Sequence, residues 1–151
     1  MIRVGLDTNI LAYLAGVDRD AADRDKINRV RRLLADVTGK AQFVVPTQAL
    51  GELFAVLTRT GAAREVAKDI VLRFHAAFEV AEITSAMFLS AMDLAVTARF
   101  QIWDALIVNA AAEAGCAMLW SEDMQDGSTW RGMTVINPLS ATPHPKLAGL
   151  S

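Results

Sequence analysis

The sequence predicts an α/β fold with a central, mainly parallel sheet of about five strands and helices on both faces. Short apolar runs, typical of buried strands, alternate with longer segments whose apolar residues recur at helical spacing. This alternation favours parallel strands joined by crossover helices. No linker or internal repeat divides the 151 residues, of which 53% are hydrophobic, so we expect one domain with a substantial core.

The predicted elements follow one another closely. Apolar runs that stop at polar or turn residues predict strands over residues 1–6, 43–46, 79–83, 116–120 and 133–136. Helical periodicity predicts helices over residues 10–15, 21–37, 48–60, 63–77 and 105–114, and another whose core face covers 87–95. Thr47 is predicted to cap the helix over 48–60, and the stretch around 130–132 to be a loop. Residues 1–138 are predicted to form the domain. Residues 139–151 are predicted to be a C-terminal tail that is poorly ordered or docks on a partner.

The composition narrows the classes of protein. The single cysteine, Cys116, rules out an internal disulfide and favours a reducing cytoplasm. Two histidines and one cysteine cannot build a histidine-rich zinc site. We expect no signal peptide, and no membrane span because acidic residues interrupt the longest apolar stretch. Since the net charge is −2, nucleic acid would need a local basic patch. Arg99 and the basic side of helix 21–37 are candidates, although a solvated face is the simpler interpretation of that helix.

Four acidic residues follow or flank the predicted strands at one end of the sheet. Asp7 follows the first strand, and Glu52 lies in the helix after the second. Asp104 opens the helix before the fourth strand, and Asp123 follows that strand. Ligands of open α/β sheets bind just outside the carboxyl ends of the strands. Each acid alone could be an ordinary cap or turn residue, so the prediction of a site depends on their convergence from separate segments.

A cluster of like charges is destabilising unless a cation compensates it. Carboxylate oxygens without histidine or cysteine suit Mg²⁺ or Mn²⁺. Such a site can hold one or two ions that activate water for hydrolysis of a phosphodiester. A phosphoaspartyl hydrolase would need a second acid two residues after Asp7, where this chain has Asn9. A receiver-like domain would need paired acids near the first strand, and we find none.

Five segments of the chain resemble the motifs of PIN-domain proteins, in particular the VapC-type ribonuclease toxins of bacterial toxin–antitoxin pairs. They are Leu6-Asp7-Thr8-Asn9-Ile10-Leu11, Gln48-Ala49-Leu50-Gly51-Glu52-Leu53, Trp103-Asp104-Ala105-Leu106-Ile107-Val108, Leu119-Trp120-Ser121-Glu122-Asp123-Met124 and the closing Val135-Ile136-Asn137-Pro138. The resemblance implies a PIN-like three-layer α/β/α sandwich, with residues 1–138 as the nuclease domain.

The resemblance also implies roles for individual residues. The four acidic positions of the family fall on Asp7, Glu52, Asp104 and Asp123, of which Asp7 and Asp104 would be the most direct metal ligands. Glu52 and Asp123 would complete the pocket, directly or through water. Thr8, Asn9 and Ser121 match polar positions that orient these carboxylates. Asp126 is an alternative fourth acid and Glu122 is adjacent, but Asp123 fits the pattern of a strand followed by serine better.

The function implied by the resemblance is metal-dependent hydrolysis of RNA, with Mg²⁺ or Mn²⁺ as the cofactor. The expected partners are the RNA substrate, a cognate antitoxin and a second copy of the chain in a homodimer. The alternative is a catalytically inactive PIN-like module that binds RNA or protein.

Overall fold

The computed structural model describes residues 1–150 and contains one six-stranded sheet. The strands occur in the order β3-β2-β1-β4-β6-β5, and only β5 is antiparallel to its neighbour. Their bounds are β1 (Ile2–Leu6), β2 (Ala41–Pro46), β3 (Glu79–Ala81), β4 (Met118–Trp120), β5 (Thr129–Trp130) and β6 (Met133–Ile136). The predicted α/β class, its mainly parallel sheet and all five predicted strands are confirmed.

One strand, β5, was not predicted, and it lies partly in the stretch around 130–132 that was predicted to be a loop. It pairs with β6 through a two-residue turn in which Arg131 has φ 49° and Gly132 has φ 81°. Two positive φ angles are typical of the tight turns that join antiparallel strands. The prediction was wrong because a strand of two residues is too short to show any alternation of polar and apolar side chains.

Among residues 1–150, seven helices surround the sheet. Six correspond to the predicted helices, with bounds that agree or differ by a few residues, and the last lies in the predicted tail. They are α1 (Thr8–Leu14), α2 (Ala21–Val37), α3 (Thr47–Arg59), α4 (Arg64–Ala77), α5 (Ser85–Ala98), α6 (Ile102–Glu113) and α7 (Pro145–Ala148). Helix α6 begins three residues earlier than predicted, so Asp104 lies in its first turn. Thr47 is not the cap of α3, because Pro46 occupies that position. The Thr47 hydroxyl instead donates to the Ala81 carbonyl at 3.2 Å.

The central strand β1 fixes where the first helix and its acidic cap lie. It pairs with β2 on one side and β4 on the other, with Leu6 opposite Trp120. The Asp7 amide then donates to the Trp120 carbonyl at 3.0 Å, so β1 and β4 end together. Helix α6, whose segment from Ala105 to Ala111 is buried throughout, packs close to Gly5. A helix that is apolar on all sides belongs in the interior.

The C-terminal tail packs on the domain, so the expectation that it is poorly ordered is wrong, whereas docking on a partner stays a prediction. Leu147 in α7 is only 6% exposed. The Lys146 ammonium donates to the Thr134 hydroxyl at 2.8 Å, and the Arg29 guanidinium donates to the Leu139 carbonyl at 3.1 Å. Pro145 does not break structure here, because it occupies the first turn of a helix, where proline is favoured. The domain boundary at residue 138 stays a prediction.

Among residues 1–150, no helix combines the length and the apolar character that a membrane span requires.

We predict opposite effects on stability for alanine at two glycines, Gly5 in β1 and Gly51 in α3. A Cβ atom at Gly5 would lie 3.0 Å from the Leu119 side chain and 3.1 Å from the Ala111 Cβ. Because both neighbours are fully buried, Gly5→Ala should destabilise the fold by about 1–3 kcal/mol. A Cβ atom at the exposed, helical Gly51 meets nothing within 4 Å, so Gly51→Ala should stabilise by about 1 kcal/mol. Urea denaturation measures both, and a Gly5→Ala variant as stable as the wild type would contradict the tight packing of α6 on β1.

Candidate functional site

One pocket, of about 300 Å³, lies where β1, β2 and β4 end. Its lining comprises Asp7, Thr8, Asn9, Glu52, Ala55, Val56, Arg59, Asp104 and Asp123. All four predicted acids therefore share a single pocket, together with two of the three polar residues predicted to orient them. Ser121, the third, is buried behind the lining and contacts Asp7.

Asp7 is the most enclosed of the four acids, with 4% of its surface exposed. It caps α1, and its Oδ1 accepts a hydrogen bond from the Thr8 amide at 2.7 Å. Its Oδ2 accepts from the Ser121 hydroxyl at 2.7 Å. The same Ser121 oxygen accepts from the Met124 amide at 3.3 Å, which ties the loop after β4 to Asp7. Donors from the start of α1 and from the loop after β4 thus fix the orientation of the Asp7 carboxylate.

Two of the other acids are each held by a residue of α1. The Thr8 hydroxyl donates to Glu52 Oε2 at 2.7 Å, so the first turn of α1 orients a side chain of α3. The Asn9 amide nitrogen donates to Asp123 Oδ2. The side chains of Thr8, Asn9 and Ser121 therefore each donate to a different carboxylate of the pocket.

Burial and repulsion from neighbouring acids disfavour the charged forms of Asp7 and Asp104. Burial raises the pKa of Asp7 to about 6, although the hydrogen bonds from Ser121 and Thr8 oppose the rise, and the charges of Asp104 and Glu52 add to it. Burial also raises the pKa of Asp104, with further contributions from Glu52 and Asp123. Within residues 1–150, none of the four acids forms an ion pair with a lysine, arginine or histidine.

The donor set fits a hard divalent cation. All four acids offer only oxygen ligands, and a cation between them would offset the burial and the repulsion that raise the pKa values of Asp7 and Asp104. In the described part of the chain, no three His, Cys, Asp or Glu side chains are already close enough together to hold one ion. The carboxylates thus line one pocket without converging on a single point.

Only one of the three acids in the loop after β4 reaches the pocket. Asp123 lines it, whereas Asp126 accepts from the Asn137 amide at 2.9 Å and is not part of the lining. Glu122 pairs with the Lys26 ammonium at 3.0 Å and accepts from the hydroxyl of the buried Tyr13. This geometry agrees with the choice of Asp123 over Asp126 as the fourth acid.

The sequence interpretation missed two features of the site. Arg59 lines the pocket, and the signal was its position seven residues, or two helical turns, after Glu52 on the same face of α3. The Tyr13–Glu122–Lys26 contact, which ties the loop after β4 to α1 and α2, had no local signal because its members lie far apart in the sequence. The basic side of α2 does not line the pocket, and Lys26 is occupied by Glu122.

A comparison with protein-family models matches the PIN domain over residues 4–125. The chain belongs to the PIN domain family. PIN domains are in general nucleases, so the fold and the acidic pocket are those of a nuclease family. No protein in a comparison with curated sequences matches the chain.

Solved structures with a similar fold include two bacterial ones. VapC20 of Mycobacterium tuberculosis, described as a toxin that cleaves the sarcin–ricin loop, has 19% sequence identity and a TM-score of 0.64 over 80% of this chain and 89% of that one. VapBC2 of Rickettsia felis, bound to a DNA fragment from the promoter of the pair, has 14% identity and a TM-score of 0.62 over 81% and 89%. At these identities the likeness establishes the fold.

We predict that the buried Asp7 carboxylate destabilises the metal-free protein at neutral pH. The pKa of Asp7 is about 6 in the folded chain against an ordinary value of 3.8, so the folded state binds the proton more tightly. Stability should therefore fall by up to about 3 kcal/mol as pH rises through this interval. In EDTA at about pH 7.5, which is above this interval, Asp7→Asn should be more stable than the wild type, whereas below about pH 4 the difference should vanish.

Urea denaturation with and without Mg²⁺ measures this effect. Mg²⁺ should raise the stability of the wild type more than that of Asp7→Asn, because only the former offers the carboxylate. Asp69→Asn, on the exposed face of α4, is the matched control and should change neither result. A variant Asp7→Asn that is less stable than the wild type in EDTA would contradict the proposed burial of an uncompensated charge.

Proposed function

We propose that the protein is a metal-dependent endoribonuclease that hydrolyses phosphodiester bonds in RNA and acts as the toxin of a toxin–antitoxin pair. The observation that carries this proposal is the convergence of four carboxylates, without a basic partner, from four separate segments on one pocket. The membership of the PIN domain family supports the same conclusion.

In this proposal, the acidic and polar side chains at the pocket have different tasks. Asp7 and Asp104 would hold Mg²⁺ or Mn²⁺, and Glu52 and Asp123 would complete the ligand set directly or through water. When bound, the ion supplies Lewis-acid activation of water and charge neutralisation at the scissile phosphate. Ser121 orients the Asp7 carboxylate, and the Arg59 guanidinium at the edge of the pocket can contact a phosphate oxygen.

Covalent catalysis is not supported by the residues present. The only cysteine, Cys116, is buried, and burial raises the pKa of its thiol to about 11. A thiol with a raised pKa is a poor nucleophile. Ser121 donates to a carboxylate and has no basic partner that would activate it. The chain therefore favours direct attack by water.

Protein partners are part of the proposal. Helix α5 exposes four large apolar residues at helical spacing, namely Phe88, Leu89, Met92 and Val96, of which Val96 is 78% exposed. Exposed apolar patches mark interaction surfaces. The similarity to VapC20 and VapBC2 supports a cognate antitoxin as one partner. A second copy of the chain, in a homodimer, is the other partner that we propose. The cytoplasm is the predicted location of the pair.

Expression of the chain with and without the short protein encoded by the adjacent gene tests the toxin assignment. Expression alone should arrest growth, and co-expression should restore growth and give a complex that co-purifies. A harmless monomer that captures no such partner would contradict the toxin assignment but leave the nuclease assignment standing.

We predict that RNA cleavage requires a divalent ion and the two most direct ligands. The wild type should cleave total RNA in Mg²⁺ or Mn²⁺ and lose this activity in EDTA. Asp7→Asn and Asp104→Asn should each reduce the rate by about 100-fold or more, because each removes a charged ligand. Gel analysis of the RNA gives the rates. Cleavage that persists in EDTA or in either variant would rule out the metal site, and absence of cleavage by the wild type would favour the inactive binding module.

The neighbouring acids Asp123 and Asp126 provide a matched pair. Asp123→Asn should reduce the cleavage rate strongly because it changes the pocket, whereas Asp126→Asn should retain most activity, since Asp126 only accepts a hydrogen bond from the Asn137 amide. The same gel assay measures both. The reverse ranking would make Asp126 the fourth acid.

A further inference from the structure

A second cavity adjoins the acidic pocket and shares two of its acids. It has a volume of about 650 Å³, and both Asp104 and Asp123 belong to its lining as well as to that of the acidic pocket. The remaining lining combines aromatic, cationic and hydrogen-bonding side chains, including Arg99, Phe100, Gln101, Gln125, Ser128 and Trp130. A ligand that reaches from one cavity into the other would pass directly between Asp104 and Asp123.

We propose that this cavity binds an unpaired nucleobase of the RNA next to the scissile phosphate, with Trp130 as the surface on which the base stacks. The inference rests on the proposed ribonuclease function, and it adds a binding site for the base beside the site of cleavage. Single-stranded RNA is commonly recognised by splaying out a base onto an aromatic side chain.

The Trp130 ring is held in place from behind. Its indole N–H donates to Asn109 Oδ1 at 3.3 Å, and the fully buried Asn109 in turn donates to the Met87 carbonyl at 3.0 Å. The Arg131 guanidinium lies 5.2 Å from the ring centroid and does not line the cavity. The ring surface in the cavity is therefore distinct from the one covered by Arg131.

Arg131 is itself fixed by two neighbours. Its guanidinium forms an ion pair with Glu113 and donates to the Ser90 hydroxyl at 3.1 Å. The aromatic surface is thus oriented before any ligand arrives, which reduces the entropy lost on binding. The buried amide of Asn109 and the paired guanidinium of Arg131 together set the orientation of the Trp130 ring.

The other polar residues of the cavity suit a base and its phosphate. Arg99, the left-handed cap of α5, has no hydrogen bond or ion pair among the described residues, so its charge is available to RNA. The side chain of Gln101 does not cap α6, although its backbone occupies the cap position. Gln101 and Gln125 offer both donors and acceptors, as the edges of bases require.

The size of the cavity and its mixed polarity favour a nucleoside over a bare phosphate. A volume of 650 Å³ is within the usual range of about 300–1,000 Å³ for small-ligand sites. The acidic residues at one end would repel an isolated anion, whereas a base linked to a metal-bound phosphate places its uncharged ring against Trp130 and Phe100.

Binding of RNA with and without bases tests the inference. Fluorescence anisotropy is measured in Mg²⁺ with a labelled single-stranded RNA of about 12 nucleotides, a length within the usual site sizes of single-strand-binding domains. A second measurement uses an abasic RNA of the same length. The protein carries Asp7→Asn to prevent cleavage. Trp130→Leu should weaken binding of the base-bearing RNA by about 5- to 100-fold and leave binding of the abasic RNA unchanged. Trp130→Phe, which keeps an aromatic ring, should restore most of the affinity.

Trp103→Leu is the matched control, because Trp103 is 53% exposed and lines a different cavity. It should bind both RNAs as the parent does. Equal affinity of Trp130→Leu and the parent for base-bearing RNA, or an equal loss for both RNAs, would overturn the stacking site alone. A parent that binds neither RNA and a wild type that cleaves none would overturn the proposed function together with it.

Crosslinking of the parent chain gives an answer that does not depend on the folding of a variant. RNA that carries 4-thiouridine should crosslink on irradiation to Trp130, Phe100 or their neighbours in the cavity, as mapped by mass spectrometry. Crosslinks confined to residues outside this cavity would contradict the proposal.

Discussion

The position of the buried Asp7 carboxylate is the constraint on which the site depends. The amide of Thr8 and the hydroxyl of Ser121 each donate to one of its oxygens, which joins the end of β1 to the loop after β4. Because β1 and β4 are neighbours, the hydrogen bond from Ser121 to Asp7 joins residues that lie 114 positions apart in the sequence. The loop after β4 also carries Asp123. Helix α1, which follows Asp7, supplies the donors to Glu52 and Asp123. The pocket is therefore one connected network around Asp7.

This network lowers the stability of the fold, because it holds carboxylates close together. Burial raises the pKa of Asp7 to about 6, and repulsion from Glu52 and Asp104 adds to the effect. The four acids do not contribute hydrophobic packing. Since they have no basic partner, they are also difficult to explain as a structural ion-pair network. In the proposed metal site, a divalent cation would compensate the repulsion, and the hydrogen bonds from Thr8, Asn9 and Ser121 would orient its ligands. Local stability and the proposed activity thus have opposite requirements at this site.

The sequence was informative where chemistry follows topology. Acidic residues that follow or flank parallel strands at their carboxyl ends lie close together. The sequence alone therefore predicted that Asp7, Glu52, Asp104 and Asp123 share a pocket. Features that depend on distant contacts gave no local signal: the packing of the C-terminal helix and the hydrogen bond from Trp130 to Asn109. The pairing of β5 is local, but its two residues are too few to form a pattern. Pro145 gave no clear signal for α7, because proline favours both loops and the first turn of a helix. Thr47 was misleading because α3 begins one residue earlier than predicted, so Pro46 and not Thr47 lies at the cap position.

Anomalous diffraction from a crystal grown with Mn²⁺ tests the central claim most directly, since it locates the ion without any assay of activity. The account predicts a manganese peak in the acidic pocket, in contact with Asp7 and Asp104, and a shift of the Glu52 and Asp123 carboxylates towards it. A pocket that stays free of manganese at saturating concentration, or an ion bound only elsewhere on the protein, would contradict the claim that the four carboxylates form a metal site.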